Sequence, residues 1–361
     1  MATDPVPLLA RLIAEDTRNP GGDELRCAKF LASELARHAP DTVEVIEVER
    51  GHGRGCGAYV FARWGEPRLL LNTHLDTVPA SDGWLDDPLV ARVANGIVIG
   101  LGAADTKGAI AAALAALDEV RPQQLAILYS GDEEHGGEVM RAFLASGRAR
   151  GLERAIVCEP TGLRLGTRHR GILALEATVR GEGGHSSRAD RLVAPVAELA
   201  RLAVTLDDWG RARRTLGPAG FEGMCLNVAR IDGGVAFNVV PESATLSVSL
   251  RPPPGADADA LREELLALAR TAGLEARVAV ENVPFATREP AAFAELLGDA
   301  AGPPLDLQYW TEAAFLSSVG IDAVVFGPGE IAQAHAPEEW VSIRELLAAR
   351  AAFAEVFRGA R

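Results

Sequence analysis

Two hydrophobic rhythms share this chain, and they constrain its fold more than any other feature. Short, nearly unbroken apolar runs at Leu69–Leu71, Leu125–Tyr129 and Ala155–Cys158 read as strands, with helices at the Ala-rich Gly108–Leu117 and at Val139–Ser146 between them. Before them, Leu25, Ala28, Leu31 and Leu35 recur at helical spacing, and Val43, Val45 and Val48 follow in a β-rich run. That is an α/β pattern. From about Ile172 the rhythm changes. Leu246, Val248 and Leu250 alternate with Thr245, Ser247 and Ser249, as in a sheet with only one buried face. Around them the segments Ile172–Val179, Ala194–Leu206, Leu226–Ile231, Asp257–Ala272 and Ala276–Val280 complete a β-α-β-β-α-β order, expected of a ferredoxin-like α+β sandwich. After Pro284 the first rhythm returns, with a strand at Ala323–Phe326 and a helix at Ile343–Phe357. The expected organisation is an outer α/β domain in two parts, 1–170 and 283–361, interrupted by an inserted domain at 171–282.

At 361 residues the chain can bury one large core or two ordinary ones. With 48% hydrophobic and 24% charged residues it has the composition of a packed soluble protein, and no apolar run approaches the ~20 residues of a membrane span. The stretch Met1–Leu9 lacks a basic start followed by an apolar segment, so export is not expected. Four scattered cysteines, Cys27, Cys56, Cys158 and Cys225, have neither zinc-ribbon spacing nor disulfide density, which points to a reducing cytoplasm. A formal charge of −14 repels phosphate backbones and argues against nucleic acid as a partner.

The chemistry-bearing residues gather at strand ends, where ligands collect in α/β sheets. His74 closes the run Leu69-Leu70-Leu71-Asn72-Thr73-His74. A lone histidine there is more often packed than ligating, but Asp76 two residues on could fix its tautomer, as carboxylates do for metal-bound imidazoles. Gly100-Leu101-Gly102-Ala103-Ala104-Asp105 mimics a dinucleotide loop, yet puts a carboxylate where a pyrophosphate would approach. Asp105 is left as either a helix cap or a metal bridge. Asp132-Glu133-Glu134 follows the next strand; one glutamate can bind metal while its neighbour moves protons. Glu159 ends a third strand, and His335 lies in the C-terminal segment Ala334-His335-Ala336. Two imidazoles with three carboxylates suit zinc, and also cobalt or manganese.

Taken together these motifs resemble the dinuclear zinc hydrolases that include acetylornithine deacetylase, succinyl-diaminopimelate desuccinylase and related carboxypeptidases. The similarity runs from Asp16-Thr17-Arg18-Asn19-Pro20 to Gly327-Pro328-Gly329 and His335. It implies a mixed-sheet catalytic domain with an inserted lid and dimerisation domain, and two zinc ions per subunit. His74 and Glu159 would hold one, Glu134 and His335 the other, with Asp105 between them. Asp76 would orient His74, and Glu133 would be the general base. His185, in Gly184-His185-Ser186-Ser187, would reach the partner subunit's active site and stabilise the oxyanion. Asn238, Arg251, Glu312 and Gly327 would contact substrate, Arg251 through a carboxylate and Glu312 through a cationic side chain, a structural role for Glu312 being the equal alternative. After Ser187 the family's usual proline and Gly-x-Asn-Ala element give way to Arg188-Ala189-Asp190-Arg191-Leu192-Val193, so substrate fit can differ.

The expected reaction is hydrolysis of an Nα-acetyl amino acid in a cytoplasmic homodimer, N-acetyl-L-ornithine first. Thr311-Glu312-Ala313 resembles that branch, and the Trp310-Thr311-Glu312-Ala313 run equally resembles an acetylcitrulline deacetylase. Succinyl-diaminopimelate and dipeptides are the alternative substrates. A non-catalytic metal-binding regulator is the remaining possibility, opposed by Glu133, since a purely structural site needs no spare base.

Overall fold

The computed structural model describes residues 3–51 and 53–360. They form two compact units. One comprises the chain up to Thr167, Thr287–Leu305 and the chain from Thr311 on; the other comprises Arg168–Ala286 and Asp306–Trp310. The short return at 306–310 has no hydropathy signal and was not expected.

The first unit is built on a mixed sheet. Strands Leu125–Ser130, Leu69–His74, Arg154–Val157 and Asp322–Val325 lie side by side and parallel, and Cys56–Trp64 and Thr42–Glu49 extend the sheet antiparallel on one side. Leu125–Ser130 and Asp322–Val325 are buried at every residue, which is why they read as unbroken apolar runs. Helix Lys107–Leu117, Ala-rich and buried along its whole length, packs against Ile343–Gly359 and Val6–Ala14. Small side chains all round let both helices approach it closely. Because the four central strands are parallel, His74, Ser130, Val157 and Val325 end on one edge of the sheet.

The second unit has the sheet order Cys225–Gly233, Ser243–Arg251, Ile172–Arg180, Ala276–Asn282, all neighbours antiparallel. With helices Pro195–Arg211 and Ala258–Thr271 after the first and third of these strands in chain order, this is the ferredoxin-like topology. Leu173, Leu175, Leu246, Val248 and Leu250 pack with Leu199, Leu202, Leu206 and Leu265 in its core. On the other face of strand Ser243–Arg251, Ser243 and Thr245 are exposed and Ser247 and Ser249 half-buried. No helix among the described residues is long and apolar enough to cross a membrane.

Candidate active site

The common strand edge gathers the five expected ligands. His74 Nε2 lies 2.9 Å from Asp105 Oδ1 and 3.8 Å from Glu159 Oε2. On the other side of Asp105, His335 Nε2 lies 3.4 Å from Oδ2 and 3.0 Å from Glu134 Oε1. Each oxygen of one carboxylate thus faces a different imidazole. Asp105 is not the cap of helix Lys107–Leu117; Thr106 occupies that position. In each group, His74–Asp105–Glu159 and Asp105–Glu134–His335, the donor atoms lie within 4.8 Å of one another. Four donors ~2.0–2.2 Å from a tetrahedral ion stand about 3.3 Å apart, so both groups fit a first-row divalent cation.

Charge supports the same reading. Burial pushes Glu159 well above the usual carboxylate range and Glu134 upward, and neighbouring carboxylates add to both. Burial also opposes ionisation of Asp105, yet hydrogen bonds from His335 and His74 hold its carboxyl low. His335 is raised to about 10 by its bonds to Asp105 and Glu134. Without metal, protons on the imidazoles balance the acids; a divalent ion in each group would replace them. His335 adopts a left-handed φ of 57°, a conformation uncommon for a side-chain-bearing residue, at a position where ligand direction matters.

Glu133 stands apart from the ligands. Its carboxylate has no hydrogen-bond partner among the described residues, and burial, then the charges of Glu159, Glu134 and Glu312, drives it well above the ordinary range. An unbonded carboxyl raised by burial and by neighbouring acids is the environment of a general base. Asp76 holds this turn in place. The nearest Asp76 partner of His74 Nδ1 is its main-chain carbonyl at 3.0 Å, its carboxylate being at 3.6 Å. That carboxylate instead accepts from the amides of Glu133 and Glu134, both at 3.2 Å. One residue therefore joins a ligand from each metal group.

Residues to which the sequence assigned no role support this arrangement. Asn19 donates to Asp76 and to Asp132, at 3.0 and 3.2 Å. Arg50 donates to Asn19 and to Glu24, and Arg54 to Asp132 and Glu138. Glu339 accepts from the amides of Gly102, Ala104 and Asp105. Only the separation between these positions in sequence conceals them; buried polar groups of such number must be mutually satisfied.

The substrate candidates fare unequally. Glu312 is 1% exposed, and Ser130 donates to its Oε2 at 2.6 Å. Burial pushes it to about 7. It is a buried acid bonded to Ser130, and its charge raises both Glu133 and Glu159. Gly327 is also buried, and a Cβ there would stand 2.7 Å from the Glu159 carbonyl oxygen. Its smallness allows the chain to pass beside a ligand, a packing reason that does not require substrate. In the second unit, Gly184–His185 pairs with Val239–Val240, and the Ser186 amide donates to the Asn238 carbonyl at 2.9 Å, bringing His185 and Asn238 together. Both are exposed. The Ser187 amide donates to His185 Nδ1 at 3.2 Å, so the neutral ring carries its proton on Nε2. Arg251 ends strand Ser243–Arg251, half-buried opposite Cys225 in the main sheet and away from that pair.

Residues 70–359 match the model of Peptidase family M20/M25/M40. The chain belongs to this family. It is 34% identical over 351 residues to N-acetyl-L-citrulline deacetylase of Xanthomonas campestris pv. campestris, covering 94% of this chain and 93% of that protein. It is 32% identical to acetylornithine deacetylase of Myxococcus xanthus over 87% of this chain and 83% of that one. An M20 metallo-carboxypeptidase from Sulfolobus solfataricus shares the fold, with a TM-score of 0.81 at 18% identity over 99% of each chain. As an M20 protein the chain is a metallohydrolase of linear amides, and the family's solved members include a dinuclear metal-binding peptidase.

Proposed function

We propose that this M20 enzyme removes the acetyl group from an Nα-acetyl amino acid, releasing acetate and the free amino acid. The observation that carries the reading is the Asp105 carboxylate set between two histidine–carboxylate pairs, with Glu133 unbonded beside it. His74 and Glu159 would hold one zinc ion and Glu134 and His335 the other, Asp105 bridging; cobalt or manganese can substitute. Bound there, the two ions would polarise the scissile carbonyl and acidify a water molecule. Glu133 takes the proton from that water and returns it to the departing amine. Asp76 holds Glu133 in reach by fixing its amide. No side chain is required as a covalent nucleophile.

The substrate choice narrows to two. The Thr311-Glu312-Ala313 run resembles both branches, and a buried Glu312 bonded to Ser130 favours neither substrate over the other. The higher identity and coverage belong to the citrulline enzyme. We therefore place N-acetyl-L-citrulline ahead of N-acetyl-L-ornithine, with Arg251 or Asn238 serving the substrate's polar groups. A cytoplasmic homodimer joined through the inserted unit completes the reading, in which His185 presents Nε2–H to the oxyanion in the partner's site. Its support is the exposure of His185 and the tautomer set by Ser187.

The test is amine release from acetylcitrulline, acetylornithine, succinyl-diaminopimelate and a dipeptide by zinc- or cobalt-loaded protein. Turnover of the acetyl amino acids in preference to the other two supports the proposal. Faster cleavage of the dipeptide would assign the chain to peptide hydrolysis, and turnover of none would refute the acetyl amino acid reading.

A further inference from the structure

The bridging carboxylate has an unusual requirement, because both its oxygens must stay free for metal while it sits among buried backbone amides. Gly102, Ala104 and Asp105 carry buried amides in the same loop as that carboxylate, and each needs an acceptor. Glu339 takes all three: Oε2 accepts from Gly102 at 3.0 Å, and Oε1 from Ala104 at 2.9 Å and Asp105 at 3.0 Å. It is 2% exposed and buried with its partners. The chain around it is fixed as well. The Gly100 amide donates to the Glu339 carbonyl at 2.9 Å, and strand Trp340–Ser342 pairs antiparallel with Ile97–Ile99, which runs directly into the Asp105 loop. On the far side of Asp105, Thr106 Oγ1 donates to the His74 carbonyl at 2.8 Å. His335 precedes Glu339 by one short turn of chain, so the same segment supplies a ligand and the clamp on the bridge.

We propose that Glu339 is a positioning residue for the dinuclear centre, gathering the amides of the Gly102–Asp105 loop so that Asp105 presents one oxygen to each metal. It rests on the metal reading given above. Charge-assisted bonds from three amides to one carboxylate are stronger than neutral ones and are oriented. Replacing the acid by an amide puts an NH2 group against at least one N–H and leaves that donor unpaired. The freed donor then competes for Asp105.

The experiment uses full-length, metal-free Glu339→Gln beside the parent, with folding followed by circular dichroism and cobalt(II) as the probe. Calorimetric titration gives the stoichiometry and affinities, and the visible absorption of bound cobalt reports coordination geometry. The expected result is a folded variant that binds one cobalt near parental affinity and the other at least ten-fold more weakly, with an altered visible spectrum. In an Asp105→Asn background the same change should add no further loss, since residues acting through one group are not additive. Two equivalents bound within two-fold of the parent, with an unchanged spectrum, would overturn the proposal and assign Glu339 to stability alone. So would independent, multiplying losses in the double variant. If Glu339→Gln does not fold, Glu339→Asp keeps the charge and shortens the reach; it should weaken one cobalt at least three-fold, and parental binding would again overturn the proposal. A parent that binds no cobalt defeats the metal reading as well, whereas a two-cobalt parent matched by its variant defeats only this inference.

Discussion

The two units hold their candidate functional residues in opposite ways. At the edge of the parallel strands, His74, Asp105 and Glu159 are buried, each fixed by partners distant in sequence. In the inserted unit, His185 and Asn238 are exposed and held by a two-residue strand pair and by Ser187. The difference teaches where preorganisation resides. A metal group must be assembled before the ion arrives, since repelling carboxylates would otherwise separate. A hydrogen-bond donor brought in with the substrate needs only the right tautomer.

That contrast can be broken experimentally, beginning with the largest effect. Glu133→Gln should lower kcat by about 10²–10⁴-fold while still binding two metals, because the base is not a ligand. Unchanged turnover would remove Glu133 from the mechanism. His185→Ala should lower kcat by roughly 10²–10³-fold with melting temperature and metal affinity unaltered, as expected of a lost oxyanion donor on an exposed loop. A fall in stability or metal binding would show that His185 belongs to the framework instead.

Metal affinity should climb with pH. His335 titrates near 10 without metal, so below that value a proton must leave before its ring can bind. Apparent affinity of the Asp105–Glu134–His335 group should rise about ten-fold per unit between pH 7 and 9; a flat profile in buffered cobalt titrations would show that no proton is displaced. The smallest effect concerns Glu312, whose folded value of about 7 exceeds its ordinary 4.5. A raised acid makes the folded state progressively costlier to ionise as pH climbs from 4.5 through 7, and the penalty is then constant. Glu312→Gln should therefore melt a few degrees higher relative to the parent at pH 8 than at pH 5. Equal gaps at both pH values would show that Glu312 is accommodated as an anion.

Much of this was legible in the sequence because it depends on local rules. Unbroken apolar strands announced burial on two faces, and the alternation Thr245–Leu250 announced burial on one. His74, Glu133, Glu134 and Glu159 were legible because strand ends are local features. His185 and His335 needed the resemblance to a family to stand out from ordinary turn histidines.

What only the tertiary structure decided is the set of relations between distant residues. That Asp105 lies between two imidazoles rather than capping its helix depends on parallel strands bringing residues 74, 134 and 335 to one place. The inward burial of Glu312, and the amides gathered by Asp76 and Glu339, depend likewise on contacts across 57 to 237 residues of chain. A sequence specifies which groups can donate, accept or ionise. Packing decides which of them are excluded from water together, and there an unmatched charge or amide costs enough to fix its partner.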